Sequence, residues 1–142
     1  MNILFDTNVL LDVLLDREPF AVDAAFLMTK VEQSEIGGFL CATTVTTIHY
    51  LIAKALGAKE AGRHIKSLLS LFIVAPVNRA VFEQALAASF TDFEDAVLHA
   101  AACHAGVQLI VTRNVRDFSK ATLPVFTPAE LINALEVLGG QG

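Results

Sequence analysis

Aspartates at widely separated positions are the residues of this sequence best suited to chemistry. Asp6 ends a short apolar run, and Asp117 follows a late one within six residues. Asp92 and Asp95 lie where a helix is expected to start. Like charges held close together must take up protons or share a cation. Mg²⁺ and Mn²⁺ bind such hard oxygen ligands and retain water that can attack a phosphodiester, so a gathered set of these acids predicts nuclease chemistry.

Short apolar runs alternate with longer helical patterns and predict the elements that position these acids. Strands are expected at 3–5, 39–42, 72–74, 107–111 and 124–126. Helices are expected at 9–15, 19–31, 44–56, 58–69, 79–88, 91–105 and 128–138, with capping boxes at 91–94 and 127–130. This alternation predicts a three-layer α/β/α sandwich with a central, mostly parallel sheet. Ligands of such folds bind at the carboxyl ends of the strands, where the acids are expected to meet.

Composition narrows the class of protein. The 142 residues are enough for one domain, expected over 1–138 with a flexible tail at 139–142. A hydrophobic share of 54% and a charged share of 18% exclude intrinsic disorder. No apolar run reaches the roughly 18 residues needed to span a membrane, and the start lacks a basic signal region, so a cytoplasmic protein is expected. A net charge of −5 excludes nucleic-acid binding by an overall cationic surplus, although a local basic strip remains open.

Three segments carry the acids in sequence order: LFDTNVLLD at 4–12, DFEDA at 92–96 and VTRNVRDF at 111–118. Together they resemble the motifs of PIN-domain ribonucleases, and the resemblance covers nearly the whole chain. It implies a PIN-like fold and an endoribonuclease that uses Mg²⁺ or Mn²⁺. Many small members, the VapC-like proteins, are toxins of bacterial toxin–antitoxin pairs. The resemblance therefore also implies an RNA substrate, an antitoxin partner and a homodimer.

The same resemblance implies roles for individual residues. Asp6, Asp95 and Asp117 match the family's catalytic metal ligands, and Asp92 is a further candidate ligand. Thr112 and Asn114 are expected to position Asp117 and its bound water.

The sequence departs from the family pattern in the helix after the second strand. PIN-like proteins commonly carry a glutamate there, whereas residues 42–50 contain no acid and Thr47 occupies its place. A hydroxyl can hold a metal-bound water but adds no negative charge. Thr43 or Thr44 could instead be the cap of this helix. The alternative function is therefore a catalytically weak or inactive PIN-fold module that binds RNA or a protein.

Several neighbouring residues admit two interpretations. His99 shares a helix face with Asp92 and Asp95 and could support the acids, although a packed histidine is the expected role. Arg113 and Arg116 flank Asn114 and are candidates for binding RNA phosphates.

Three further interpretations are weaker. The basic residues on the third and fourth helices, Lys54, Lys59, Arg63 and Lys66, fit a solvated face as well as an RNA contact. Zinc binding by His99, Cys103 and His104 lacks a fourth ligand nearby. A small-molecule phosphohydrolase with an aspartyl nucleophile would need a second aspartate where Asn8 stands.

Overall fold

A five-stranded sheet lies at the centre of the protein, which is described here from a computed structural model covering residues 1–141. The strands are β1 (Asn2–Phe5), β2 (Gly37–Cys41), β3 (Ile73–Ala75), β4 (Leu109–Val111) and β5 (Val125–Phe126). They lie in the order β3-β2-β1-β4-β5, and every neighbouring pair is parallel. The expected parallel sheet is therefore confirmed, and β1 lies at its centre.

Within residues 1–141, seven α-helices cover both faces of the sheet. They are α1 (Thr7–Leu14), α2 (Ala21–Glu32), α3 (Ala42–Leu56), α4 (Ala58–Leu71), α5 (Arg79–Ala87), α6 (Phe93–His104) and α7 (Pro128–Gln141). A short 3-10 helix, Val115–Phe118, follows β4. The three-layer sandwich inferred from the sequence is confirmed.

Successive strand residues face opposite layers, which produces two cores. Ile3 and Phe5 of β1 pack with α1, α2, α3, α4 and α7, whereas Leu4 packs with α5 and α6. Because both faces are covered, the strands are apolar on both sides, as buried parallel strands are. The polar groups that follow β1 and β4 are thereby confined to the carboxyl edge of the sheet.

Three helix starts differ from the expectations, and only at α6 does a side-chain cap mark the observed start. The cap of α6 is Asp92, whose side chain accepts from the Asp95 amide at 3.0 Å, and not Thr91. Cys41 precedes α3, so neither Thr43 nor Thr44 caps it. Pro19 lies before α2 instead of in its first turn.

The second capping box is confirmed. The Thr127 amide donates to the Glu130 carboxylate at 2.8 Å, and the Glu130 amide donates to the Thr127 hydroxyl at 3.2 Å. The helix that it starts, α7, extends to Gln141, beyond the expected end at 138, so most of the expected tail at 139–142 is helical and Gly142 lies outside the described residues. Within residues 1–141, no helix is long and apolar enough to cross a membrane.

Candidate metal centre

Asp6 lies at the junction of β1 and α1, in the middle of the carboxyl edge. It caps α1 by accepting from the Thr7 amide at 2.7 Å, and its other oxygen accepts from the Thr112 hydroxyl at 2.7 Å. The Asn8 side-chain amide approaches that second oxygen at 3.4 Å. Burial raises the pKa of the Asp6 carboxyl, against the lowering effect of the Thr112 and Thr7 hydrogen bonds. Within the described residues, the orientation of the Asp6 carboxylate is therefore fixed by neutral hydrogen-bond donors alone.

Asp95 lies in the first turn of α6 and faces Asp6 across a small cavity. Both aspartates line this cavity, which we call the acid cavity. Burial raises the pKa of Asp95 to about 7, and repulsion from Asp6, Asp92, Asp117 and Glu94 adds to the effect. A half-buried carboxylate among other carboxylates is a site where a cation would relieve a real electrostatic cost.

The acid cavity also contains a residue that the sequence analysis treated differently. Glu94 lines it together with Thr44 and Thr47, although its charge near a helix start had been assigned to capping. The Thr47 hydroxyl donates to the Thr43 carbonyl at 3.1 Å. Thr47 thus borders the cavity at the position expected from the family pattern and brings no charge to it.

Asp92 and Asp117 stand at the margin of this group. Both are exposed, and neither lines the acid cavity. Asp117 nevertheless raises the pKa of both Asp6 and Asp95, which shows that it acts on them electrostatically across the edge. Asp92 repels Asp95 while it caps α6. The edge therefore gathers the acids, with Asp6 and Asp95 innermost.

Thr112 and Asn114 contact different acids, although both were expected to position Asp117. The buried Thr112 hydroxyl orients Asp6, the first acid, instead of Asp117. It accepts in turn from the Asn114 amide at 3.0 Å. Asn114 does hold Asp117, but through its backbone carbonyl, which accepts from the Asp117 amide at 3.0 Å. The loop after β4 thus connects the first and last acids.

A buried ion pair lies beside the acids and was missed by the sequence analysis. Asp12 is 0% exposed and accepts from Arg17 Nε at 2.9 Å and Arg113 Nε at 2.7 Å. Arg113 also stacks on Phe20, with its guanidinium carbon 4.0 Å from the ring centroid. This structural role accounts for Arg113 without RNA. Arg116 is exposed and keeps its place as an RNA-binding candidate.

His99 faces away from the acid cavity, as the packed-histidine interpretation expects. Its Nε2 accepts from the Thr122 amide at 3.0 Å, and its ring packs on Phe90 at 5.2 Å between centroids. Burial lowers the pKa of His99. These contacts leave no direct role for His99 beside the carboxylates.

The donor set fits a hard divalent cation in kind and leaves room for water. In the described part of the chain, no three His, Cys, Asp or Glu side chains already form a set compact enough to hold an ion directly. Asp6 and Asp95 border one cavity, and no salt bridge reaches either of them among residues 1–141. Mg²⁺ is typically bound through one or two carboxylates and several retained waters, which is the arrangement that these residues suit.

A comparison with family models gives a match over most of the chain. The model of the PIN domain matches residues 2–116, which contain Asp6, Asp92 and Asp95. The chain belongs to the PIN-domain family. The match ends one residue before Asp117.

Several solved structures share the fold. FitAcB from Neisseria gonorrhoeae is 23% identical with a TM-score of 0.67, and covers 89% of this chain and 98% of its own. A toxin–antitoxin complex from Klebsiella pneumoniae is 23% identical with a TM-score of 0.65, covering 88% and 96%. VapC20 from Mycobacterium tuberculosis, a sarcin–ricin loop cleaving toxin, is 17% identical with a TM-score of 0.60, covering 76% and 86%. A search of curated proteins gave no match.

Proposed function

We propose that this PIN-domain protein is a metal-dependent endoribonuclease in which Asp6, Asp95 and Asp117 hold Mg²⁺ or Mn²⁺. The observation that supports this most is the pairing of Asp6 and Asp95 on one cavity with no salt-bridge partner in residues 1–141. PIN nucleases generally use divalent metal ions, and the structural neighbour VapC20 is a sarcin–ricin loop cleaving toxin.

Each group has a defined task in this proposal. The ion, when bound, would lower the pKa of a coordinated water and neutralise charge on the leaving oxygen. Thr112 keeps Asp6 in its orientation, and the Asn114 carbonyl fixes the backbone of Asp117. The exposed Arg116 beside Asp117 contacts an RNA phosphate.

RNA cleavage by the purified protein tests the proposal. Single-stranded RNA is incubated with MnCl₂ or MgCl₂ and wild type, Asp6→Asn or Asp95→Asn. Glu83→Gln serves as control, because Glu83 is an exposed acid that pairs with Arg79 on α5 and does not line the acid cavity. We expect cleavage that requires the metal and falls at least about a hundredfold in both aspartate variants. Equal activity in wild type and Asp6→Asn, or none in either, contradicts the enzyme function.

Absence of activity in all of them would support the second candidate function, a PIN-fold module that binds without cleaving. The observation that favours it is Thr47, which brings a neutral hydroxyl to the acid cavity. RNA binding by the wild type without cleavage would then be the expected behaviour.

The biological role that we propose is that of a cytoplasmic toxin held inactive by an antitoxin. Structural neighbours include toxin–antitoxin complexes. Exposed apolar side chains on α3, α4 and α5, such as Tyr50, Leu69 and Leu86, offer surface for a homodimer or partner. Growth arrest on expression, relieved by co-expression of an adjacent small gene, is the expected result. Growth unaffected by the wild-type protein contradicts the toxin role.

A further inference from the structure

A second and larger cavity lies at the same carboxyl edge of the sheet, after β4 and β5. It has a volume of about 370 Å³ and is formed where α2 begins, where the chain leaves β4 and where α7 begins. Phe20, Asp23, Arg113, Asn114 and Thr127 line it, and we call it the Phe20 pocket. Its size lies within the usual range of small-ligand sites.

An aromatic platform forms one wall of the Phe20 pocket. The Phe20 ring is 41% exposed, and the Arg113 guanidinium covers part of it at 4.0 Å from the centroid. Arg113 is held in turn by the buried Asp12, at 2.7 Å from its Nε and 3.3 Å from its terminal nitrogen. The platform is therefore rigid before anything binds. Unstacked bases of single-stranded RNA stack on such aromatic rings and guanidinium planes.

The polar groups of the Phe20 pocket suit a base. Arg17 and Arg113 share the buried Asp12, while Asp23 makes no salt bridge within the described residues. The pocket thus presents one carboxylate without a cationic partner, which can accept hydrogen bonds. Guanine offers two adjacent donors on its Watson–Crick edge, and the side-chain amide of Asn114 can hydrogen-bond its other polar groups.

The Phe20 pocket is connected to the acids through two short paths. The Asn114 amide donates to Thr112, whose hydroxyl donates to Asp6. The Arg113 amide approaches the Asn8 side chain at 3.4 Å, and Asn8 in turn approaches Asp6 at 3.4 Å. The Phe20 pocket and the acids therefore share the loop after β4, which lines the pocket and holds Asp6.

We propose that the Phe20 pocket binds an unstacked guanine of the RNA substrate next to the scissile phosphate, stacked on Phe20 and hydrogen-bonded to Asp23. The proposal rests on the ribonuclease function for its substrate class. It assigns the choice of cleavage position to residues outside the carboxylate set.

Binding of short RNA tests the pocket without requiring cleavage. Labelled uridine hexamers with one central guanosine, adenosine, cytidine or uridine are titrated into the full-length Asp6→Asn protein. We expect roughly tenfold tighter binding of the guanosine hexamer, and loss of that difference in the double variants that add Asp23→Asn or Phe20→Leu.

Two matched controls accompany these variants. Phe26 is as exposed as Phe20, at 41%, and lies on the same helix as Asp23, so Phe26→Leu should keep the preference. Glu32→Gln removes an exposed acid from the end of that helix and should also keep it. Absence of a guanosine preference, or a preference that survives both Asp23→Asn and Phe20→Leu, overturns the proposal.

Cleavage mapping separates the failure of the pocket from the failure of the enzyme. If wild type cuts RNA and Asp23→Asn cuts at the same positions, the pocket proposal is wrong and the nuclease function stands. If wild type does not cut but binds the guanosine hexamer preferentially through Asp23, the pocket stands and the nuclease function is wrong.

Discussion

Asp6 and Asp12, two aspartates at and in the first helix, differ in the charge of their hydrogen-bond partners. Asp12 is fully buried and receives hydrogen bonds from two arginines, Arg17 and Arg113. Asp6, six residues earlier, receives bonds only from neutral groups, and its neighbour across the cavity is Asp95. Arg17 and Arg113 thus compensate the charge of Asp12, which has a structural role. Asp6 and Asp95 have no salt-bridge partner in residues 1–141, and this is the difference expected between a structural carboxylate and the metal-binding carboxylates that we propose.

The largest effect on stability should come from removing the charge of Asp12, which the two arginines compensate. Asp12→Asn leaves two arginines without their shared carboxylate, so we expect the free energy of unfolding to fall by about 3 kcal/mol. Urea unfolding followed by circular dichroism measures it. Glu60→Gln is the matched control, since Glu60 pairs with Arg63 at 2.9 Å on the surface and should change stability by less than about 0.5 kcal/mol. Similar effects of the two substitutions would mean that Asp12 is not a structural acid.

A smaller effect is expected from the neutral donor that orients Asp6. Thr112→Val keeps the shape of the buried side chain and removes its hydroxyl, so RNA cleavage should fall roughly tenfold while the fold persists. Thr112→Ser retains the hydroxyl and should recover most of the activity. The ratio of initial cleavage rates decides the matter, and full activity in Thr112→Val would show that Asp6 needs no such support.

The smallest effect concerns the pH dependence of stability. The pKa of Asp95 is raised to about 7, mainly by burial, so the folded state holds a proton that the unfolded chain loses near 4. Stability from this group is present below pH 4 and is lost as pH rises towards 7. Because Asp95 is half-exposed, we expect the loss to be on the order of 1 kcal/mol. Urea unfolding of wild type and Asp95→Asn from pH 5 to 8 checks this, and parallel curves would contradict it.

The sequence could predict the fold because its signals are local and repeated. Apolar runs of three to five residues marked all five strands, and the Thr127 capping box marked the start of α7. The start of α6 was less well specified, since Thr91 and Asp92 are both suitable caps and only the structure shows Asp92 accepting from the Asp95 amide. Neighbouring candidates of equal propensity cannot be separated by sequence spacing.

Only those residues of the site that belong to a short sequence motif could be predicted. Asp6 and Asp95 stand out next to apolar segments, but the partners of Asp12 and His99 come from distant parts of the chain. Arg113 lies 101 residues from Asp12, and Thr122 lies 23 residues from His99. Helical periodicity placed His99 on the same face of α6 as Asp95. It carries no information about the loop before β5, which supplies Thr122 as the partner of His99.

Binding of Mn²⁺ at pH 8, followed by electron paramagnetic resonance of the free ion, tests the central claim most directly. We expect the wild type and Glu83→Gln to bind the ion equally. Asp6→Asn and Asp95→Asn should each bind it at least roughly tenfold more weakly. Undiminished binding by both aspartate variants, or no binding by wild type at millimolar Mn²⁺, would show that these uncompensated carboxylates do not form a metal centre.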